Sequence, residues 1–119
     1  MYNLCVRTII AGSRTITSMD MVEKAIDASN FKITEVVSGG ARGVDSLGEQ
    51  WAREHGIPVK VFPAHWDLWG KSAGYRRNVE MAMNADALIA VWSKESKGTK
   101  HMIDIVTTWK LQVFVYKEE

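Results

Sequence analysis

The sequence has little of several features that mark specialised classes of protein. Its 119 residues include one cysteine and two prolines, so the chain cannot close an intramolecular disulfide and carries no proline-rich linker. We expect Cys5, which lies in an apolar run, to be a buried strand residue. No apolar stretch reaches the roughly 20 residues of a membrane helix, and the N-terminus lacks the pattern of a signal peptide. The sequence therefore predicts a cytoplasmic protein with no membrane partner.

An excess of one charge and a cluster of metal ligands are also missing. Fifteen Lys and Arg residues are balanced by fourteen Asp and Glu residues, so the overall field attracts no polyanion and we do not expect a nucleic-acid partner. The three histidines are scattered along the chain, and with one cysteine they form no group with zinc spacing. The sequence therefore predicts neither a metal site nor a resident cofactor.

What the chain does have is a repeated alternation of two patterns. Its length suits one domain, residues 1–119. Apolar runs rich in β-branched residues recur, and each is followed by a stretch with helical spacing, which is typical of βα units. The pattern predicts an α/β, Rossmann-like three-layer domain with a parallel sheet of about five strands. We expect strands at residues 4–11, 33–38, 59–62, 87–92 and 112–116.

Helices are expected between these strands. The first has candidate N-caps within residues 17–20 and a terminator at Asn30. The second begins after Gly43 and stops at the His55-Gly56 pair. A longer connection, residues 63–74, precedes a third helix over about residues 75–84, and a fourth spans about residues 99–110.

A glycine-rich loop follows the second predicted strand and opens the second helix. It contains Gly39, Gly40, Arg42 and Gly43, followed by Asp45, and unpaired backbone N–H groups with the helix dipole favour an anion at such a place. The dinucleotide fingerprint needs a further glycine where this chain has a serine. The loop predicts a phosphate site that is not a standard NAD motif, or else a tight turn in which the aspartate serves only as a cap.

A second candidate loop follows the first predicted strand. Gly12, Ser13 and Arg14 supply a turn, a hydroxyl and a guanidinium suited to bidentate contact with phosphate. Alone, this motif is a weak signal. If the first two strands are neighbours in the sheet, the two loops face one pocket.

The connection before the third helix carries His65, Trp66, Trp69 and Lys71. Its Gly-Lys-Ser ending is like that of a nucleoside-triphosphate loop, but that motif needs glycine where His65 stands, so we reject this interpretation. The two indoles and the lysine suit stacking on a base and pairing with a phosphate, unless the indoles only cover the core. His65 could act as a general base, although a single loop histidine is more often a bystander.

Two further helix starts carry basic groups. Arg77 and Asn78 lie near the start of the third helix, where a cation opposes the helix dipole and so suggests that an anion is recruited. Gly98, Thr99 and Lys100 belong to residues 93–101, where small and basic groups again precede a helix. Each predicts a phosphate contact, with a solvated basic turn or loop as the alternative.

The order of these motifs resembles that of the SLOG superfamily, and most closely its YspA-like, YpsA-related branch. The resemblance covers nearly the whole chain, through motifs at residues 12–14, 39–45, 66, 70–74, 77–78 and 98–102. It implies a Rossmann-like fold and a nucleotide or nucleotide-derived ligand. Distant relatives include cytokinin-activating phosphoribohydrolases, the DNA-processing protein DprA and sensor domains for ADP-ribose-type signals. The pairing of subunits in that family, together with five tryptophans in this chain, favours a homodimer or higher homo-oligomer.

The chain departs from the hydrolase relatives at a position that matters for chemistry. Their catalytic glutamate stands three residues after the threonine of the Gly-Thr pair, and that residue is Met102 here. The branch also often has proline where Tyr75 stands. We therefore expect a noncatalytic protein that sequesters or senses a nucleotide-derived ligand, such as an ADP-ribose-type molecule or a cyclic nucleotide.

Two other functions remain open from the sequence. One is a nucleoside-phosphate hydrolase or transferase that uses Asp45 or His65 in place of the glutamate. The other is a single-strand DNA-binding module, which the balanced charge disfavours. For the leading hypothesis, the residues that we expect to contact the ligand are Gly12, Ser13, Arg14, Gly39, Gly40, Arg42, Gly43, Asp45, Trp66, Lys71, Arg77, Asn78, Gly98, Thr99 and Lys100.

Overall fold

Five parallel strands form the sheet of the part that the structure describes, in the order β3-β2-β1-β4-β5. The structure is a computed structural model that describes residues 5–92 and 97–117. Leu4, residues 93–96 of the last predicted loop and the side chain of Cys5 lie outside the described part. The strands are β1 (Cys5–Gly12), β2 (Lys32–Ser38), β3 (Val59–Val61), β4 (Ala87–Trp92) and β5 (Gln112–Lys117).

Helices connect these strands and begin and end at recognisable signals. The hydroxyl oxygen of Ser18 accepts the N–H of Met21 at 3.3 Å and caps the first helix, and Asn30, with a left-handed φ of 60°, ends it. Both predicted signals are confirmed. No helix in the described ranges has the length and apolar character to span a bilayer. The helices are α1 (Met19–Ser29), α2 (Val44–Glu54), α3 (Trp66–Trp69), α4 (Ala73–Met83) and α5 (Lys97–Thr108).

The central strands are buried on both faces. Ile10 of β1 and Ile89 of β4 pack with residues of α1 and α2 in one apolar cluster. Their neighbours Ile9 and Leu88 pack with residues of α4 and α5 in the other. Because successive side chains of a strand point to opposite faces, this alternation places one helical layer on each side of the sheet. The predicted Rossmann-like α/β architecture is confirmed.

The strand order reverses next to β1. This strand pairs with β2 on one side and with β4 on the other, and the latter pairing ends at Gly12 opposite Val91. The chain thus adds β2 and β3 on one side of β1 and then β4 and β5 on the other side. In doubly wound sheets such a switch point leaves a crevice at the carboxyl ends of the strands, where ligands bind.

The prediction was wrong about the segment between β3 and α4. Residues 63–74 were expected to form a connection, but α3 and a 3-10 turn, Gly70–Ser72, occupy most of it. The hydroxyl of Ser72 donates to the carbonyl of Trp69 at 2.9 Å and buried Ala73 continues the turn into α4. Helix α4 therefore begins two residues before its predicted start.

Helix α5 is displaced from its prediction at both ends. It begins at Lys97, two residues early, and it stops at Thr108 rather than at Lys110. Lys110 has a left-handed φ of 61°, and that conformation cannot continue a helix. Because α5 begins at Lys97, Gly98 and Thr99 belong to its first turn rather than to a loop before it.

Candidate functional site

Two adjacent clefts lie at the carboxyl edge of the sheet. The first, of about 340 Å³, occupies the switch point between β1 and β4, and the second, of about 620 Å³, lies beyond the glycine-rich loop of β2. The first is lined by Ala11, Gly12, Ser13, Arg14, Thr15, Ala41, Asp45, Arg77, Asn78, Met81, Lys97, Gly98, Thr99 and Met102. The second is lined by Arg14, Gly39, Gly40, Ala41, Arg42, Val61, Pro63, Ala64, Trp66 and Arg77.

The loops after β1 and β2 meet because glycine occupies the points of contact. A side chain at Gly12 would overlap the carbonyl oxygen of Val91, and one at Gly43 would lie 2.5 Å from the carbonyl oxygen of Ser13. Gly43 also has a φ of 79°, which other residues rarely adopt. The sequence predicted that these loops face one pocket if their strands are neighbours, and the strands do pair. Gly43 therefore allows the backbones of the two loops to approach each other, and Gly12 allows the end of β1 to lie close against Val91 of β4.

Asp45 is buried at the start of α2 and faces the first cleft. Its Oδ2 atom accepts the N–H of Ala41 at 3.2 Å, so the carboxylate secures the preceding loop. The N-cap residue of α2 is Gly43, which makes no side-chain capping bond. Burial raises the pKa of Asp45 to about 6, partly opposed by the hydrogen bond from Ala41 and by the charge of Arg77.

Side chains next to the glycine-rich loop accept hydrogen bonds from two of its backbone N–H groups. The N–H of Gly40 donates to the hydroxyl of Ser38 at 3.1 Å, and the N–H of Ala41 is taken by Asp45. The N–H groups at these two positions are therefore already paired, because short polar side chains accept their hydrogen bonds, and the phosphate site expected at this loop stays a prediction. The remaining groups near this loop that are suited to attract an anion are side-chain cations and helix ends.

Arg77 reaches from α4 across the site to the glycine-rich loop. Its Nη1 atom donates to the carbonyl oxygen of Gly39 at 2.7 Å. Its Nε atom is buried, with no hydrogen-bond partner among the described residues. Burial lowers the pKa of Arg77, and Asp45 partly restores it. This half-buried guanidinium, which lines both clefts together with Arg14, is the strongest candidate for contact with an anion.

Asn78 joins α4 to the start of α5. It is buried, and its amide donates to the carbonyl of Gly98 and to Nδ1 of His101, both at 3.2 Å. The ring of Tyr75 lies 4.3 Å from that of His101, and burial lowers the pKa of His101. An unprotonated Nδ1 is the state that can accept the Asn78 hydrogen bond. Asn78 thereby fixes the helix start that carries Thr99 into the first cleft.

Several predicted contact residues lie away from the clefts. Lys100 pairs with Asp104 at 3.0 Å on the surface of α5. Lys71 is exposed in the 3-10 turn. The described residues that line the two clefts do not include Lys71, Lys100 or His65. Trp66 lines the second cleft. No group of three or more His, Cys, Asp or Glu residues in the described ranges is placed to hold a metal ion.

Sequence reasoning missed Glu49. This glutamate lies one helical turn after Asp45, and its Oε2 accepts the hydroxyl of Ser38 at 2.6 Å. Ser38 in turn accepts the N–H of Gly40, so Glu49 anchors the glycine-rich loop from behind. An acidic residue four positions after Asp45 on the same helix face was the available signal.

Comparison with known proteins identifies the family of this chain. The model of the YspA, cpYpsA-related SLOG family matches residues 6–69, which include the loops after β1 and β2 and Trp66. The Gene 61 protein of Mycobacterium phage D29 is 36% identical over 105 residues, covering 80% of this chain and 83% of that protein. No solved structure matches significantly. On the family match and this relative, the chain belongs to the YspA, cpYpsA-related SLOG family.

Proposed function

We propose that this protein binds a nucleotide-derived small molecule in the two clefts and acts without catalysis, by sequestering or sensing it. Membership of the SLOG family supports a role related to nucleotides. The observation that carries the proposal is the meeting of Arg14, Arg77 and buried Asp45 at the switch point. Two guanidinium groups supply anion contacts, and a carboxylate supplies an acceptor for sugar hydroxyls.

The orientation of two helices strengthens the attraction for an anion. The N-terminal residues of α5, Lys97 to Thr99, line the first cleft, as does Asp45 in the first turn of α2. A helix N-terminus carries partial positive charge, so two such ends at one cleft favour a phosphate group. Buried Thr99 and Ser13 add hydroxyl groups to its wall.

The first cleft has little with which to perform acid–base catalysis. Met102 is buried there, and a thioether neither gives nor takes a proton. Among the described residues that line this cleft, Asp45 is the single carboxylate. Glu49 is turned to Ser38 instead. These placements favour a binding protein over a hydrolase.

A hydrolase or transferase is the second candidate because of the environment of Asp45. Burial raises its pKa to about 6, close to the range in which a general acid or base works at neutral pH. This function predicts release of a free base from a panel of nucleotides, abolished by Asp45→Asn. No turnover at high enzyme concentration would exclude it.

We also propose that the protein forms a homo-oligomer through its α3–α4 surface. That surface exposes large apolar side chains, and exposed apolar groups gathered in one region are typical of interaction sites. Light scattering that finds only monomer at high concentration would refute this. The exposed side chains of this surface that line neither cleft are those of Leu68, Trp69, Tyr75, Val79 and Met83.

Native mass spectrometry of protein purified from cells tests the proposed binding. A bound nucleotide should add its mass to the intact protein and should be recovered unchanged after denaturation. Arg77→Ala should lose most of this added mass, whereas Arg76→Ala, whose guanidinium lies over Trp69 at 3.9 Å, should retain it. If the wild-type protein carries no nucleotide and depletes none from a panel in solution, the proposal is wrong.

A further inference from the structure

Side chains hold the backbone of the glycine-rich loop at three consecutive residues. The carbonyl oxygen of Gly39 accepts a hydrogen bond from Nη1 of Arg77 at 2.7 Å. The N–H of Gly40 donates to the hydroxyl of Ser38 at 3.1 Å, and the N–H of Ala41 donates to a carboxylate of α2 at 3.2 Å. The first of these contacts involves the guanidinium that lines both clefts. The position of this guanidinium therefore depends on where the loop places the Gly39 carbonyl.

The first two contacts hold the same peptide group. The carbonyl of Gly39 and the N–H of Gly40 belong to one planar, trans peptide unit. Arg77 binds one side of this unit and Ser38 binds the other, so neither contact can turn without moving its counterpart. A side-chain carbon at Gly39 would lie 2.6 Å from Nη1 of Arg77 and 2.9 Å from Oδ2 of Asp45. The backbone here thus runs directly against both charged groups.

The hydroxyl of Ser38 is oriented by Glu49. Ser38 is completely buried at the end of β2, and its hydroxyl carries one proton. That proton goes to Oε2 of Glu49 at 2.6 Å, which leaves a lone pair of the hydroxyl oxygen for the N–H of Gly40. An ionised carboxylate only accepts, so the direction of both hydrogen bonds is fixed. Without Glu49 the hydroxyl would lose this acceptor, and a buried donor that lacks a partner turns toward another one.

The surroundings of Glu49 exclude a direct contact with a ligand in either cleft. Its side chain is 17% exposed, and its other oxygen, Oε1, lies 3.8 Å from Nη1 of Arg53. The described residues that line the two clefts include neither Glu49 nor Ser38. An effect of Glu49 on binding must therefore pass through the loop or through its charge. The charge reaches the first cleft, since burial raises the pKa of Asp45 and the negative charge of Glu49 raises it further.

We infer that Glu49 is a positioning residue for Arg77 and acts through the hydroxyl of Ser38. The hydrogen bond that Ser38 accepts fixes the peptide between Gly39 and Gly40, and the carbonyl of that peptide holds the guanidinium between the two clefts. This inference rests on the proposed function, because it takes Arg77 as a residue that contacts the ligand. A side chain outside both clefts then determines ligand affinity by a hydrogen bond and not by its charge.

The first test is an NMR measurement of hydrogen exchange in the ligand-free protein. Glu49→Gln keeps an oxygen that can accept the Ser38 hydroxyl but removes the charge, whereas Glu49→Ala removes both. In Glu49→Ala, the amide proton of Gly40 and the Nε proton of Arg77, which is buried in the wild type, should exchange with solvent at least roughly ten-fold faster. Both rates should stay near their wild-type values in Glu49→Gln.

The second test measures the affinity for inorganic phosphate by NMR titration. Glu49→Ala should weaken binding roughly two-fold to ten-fold, the range that one hydrogen bond supplies, and Glu49→Gln should keep the wild-type affinity. Ser38→Ala should cause a similar loss. The variant that carries both alanine substitutions should bind no more weakly than either single variant, because both remove the same chain of hydrogen bonds. Glu54→Ala removes an exposed carboxylate of the same helix that lines neither cleft, and this matched control should leave the affinity unchanged.

Three outcomes would overturn the inference. If Glu49→Gln behaves like Glu49→Ala in both tests, Glu49 acts by its charge. If the losses of affinity in Ser38→Ala and Glu49→Ala add up in the double variant, the two residues act independently. If neither proton exchanges faster in Glu49→Ala, the loop does not depend on Glu49.

Failure of the proposed function would look different. A wild-type protein that binds no phosphate would count against the anion contacts of that function, and the exchange rates measured without ligand would still decide the role of Glu49. If Glu49→Ala does not fold, Ser38→Ala takes its place in the comparison with Glu49→Gln.

Discussion

Replacing Asp45 by asparagine should stabilise the protein at neutral pH while weakening ligand binding. Burial raises the pKa of Asp45 from its ordinary 3.8 to about 6. The folded state therefore holds this proton more tightly than the unfolded state does, and between these two pH values folding stability falls as the pH rises. The full shift corresponds to about 3 kcal/mol of stability lost above the folded pKa.

The amide side chain introduced by Asp45→Asn would keep an oxygen that accepts the Ala41 N–H but would carry no charge to bury. The free energy of unfolding of this variant relative to the wild type should thus rise by about 2.4 kcal/mol between roughly pH 4 and pH 7.5. Urea denaturation at the two pH values measures this difference. Calorimetry should show weaker nucleotide binding by the same variant, because a charged acceptor for sugar hydroxyls has been replaced by a neutral, weaker one.

Asp86→Asn is the matched control with the opposite sign. Hydrogen bonds from the Arg7 side chain lower the pKa of Asp86, so its contribution to stability is present at neutral pH and lost on acidification. That variant should be less stable than the wild type near pH 7.5, and the gap should close toward acid. If Asp45→Asn shows the same sign as Asp86→Asn, or no pH-dependent difference, the reasoning about the buried carboxylate is refuted.

The other predictions concern the loops and the helix starts. Gly43→Ala should lower the free energy of unfolding, measured by urea denaturation, by more than about 2 kcal/mol. Gly56→Ala should lower it by about 1 kcal/mol, because Gly56 also has a positive φ, 68°, but has open space around it. Equal losses of stability in the two variants would contradict the packing role of Gly43. Arg77→Ala should reduce nucleotide affinity at least roughly ten-fold in calorimetry, and Arg76→Ala should not; equal effects would show that general charge rather than the site binds the anion. The pKa of His101 measured by NMR should lie below its ordinary value of 6.5, because burial disfavours the charged ring. Protonation of the ring should disrupt the hydrogen bond from Asn78. A pKa above 6.5 would contradict the buried environment of His101.

Local patterns were enough to predict most of the fold. Burial of β1 and β4 on both faces follows from their apolar runs, and the ends of α1 follow from one serine and one asparagine. Helix α3 was not predicted because it is four residues long and ends at Gly70, which makes it too short for a periodic pattern.

The candidate site was predictable as a set of loops but not as a set of contacts. Arg77 meets Gly39 across 38 residues of sequence, and Asn78 meets His101 across 23. Such pairs depend on how the layers pack, which single-sequence patterns do not encode. For the same reason Lys71 and Lys100 were indistinguishable in sequence from cations that line a cleft.

The most direct test of the central claim is an NMR titration of the ¹⁵N-labelled protein with ADP-ribose. Binding in the two clefts predicts saturable shifts at the amides of Ser13, Ala41 and Thr99, with none at Gly56 or Trp109. Shifts centred on the α3–α4 surface without the loop amides, or no saturable shift with ADP-ribose or any other nucleotide, would contradict nucleotide binding in the two clefts.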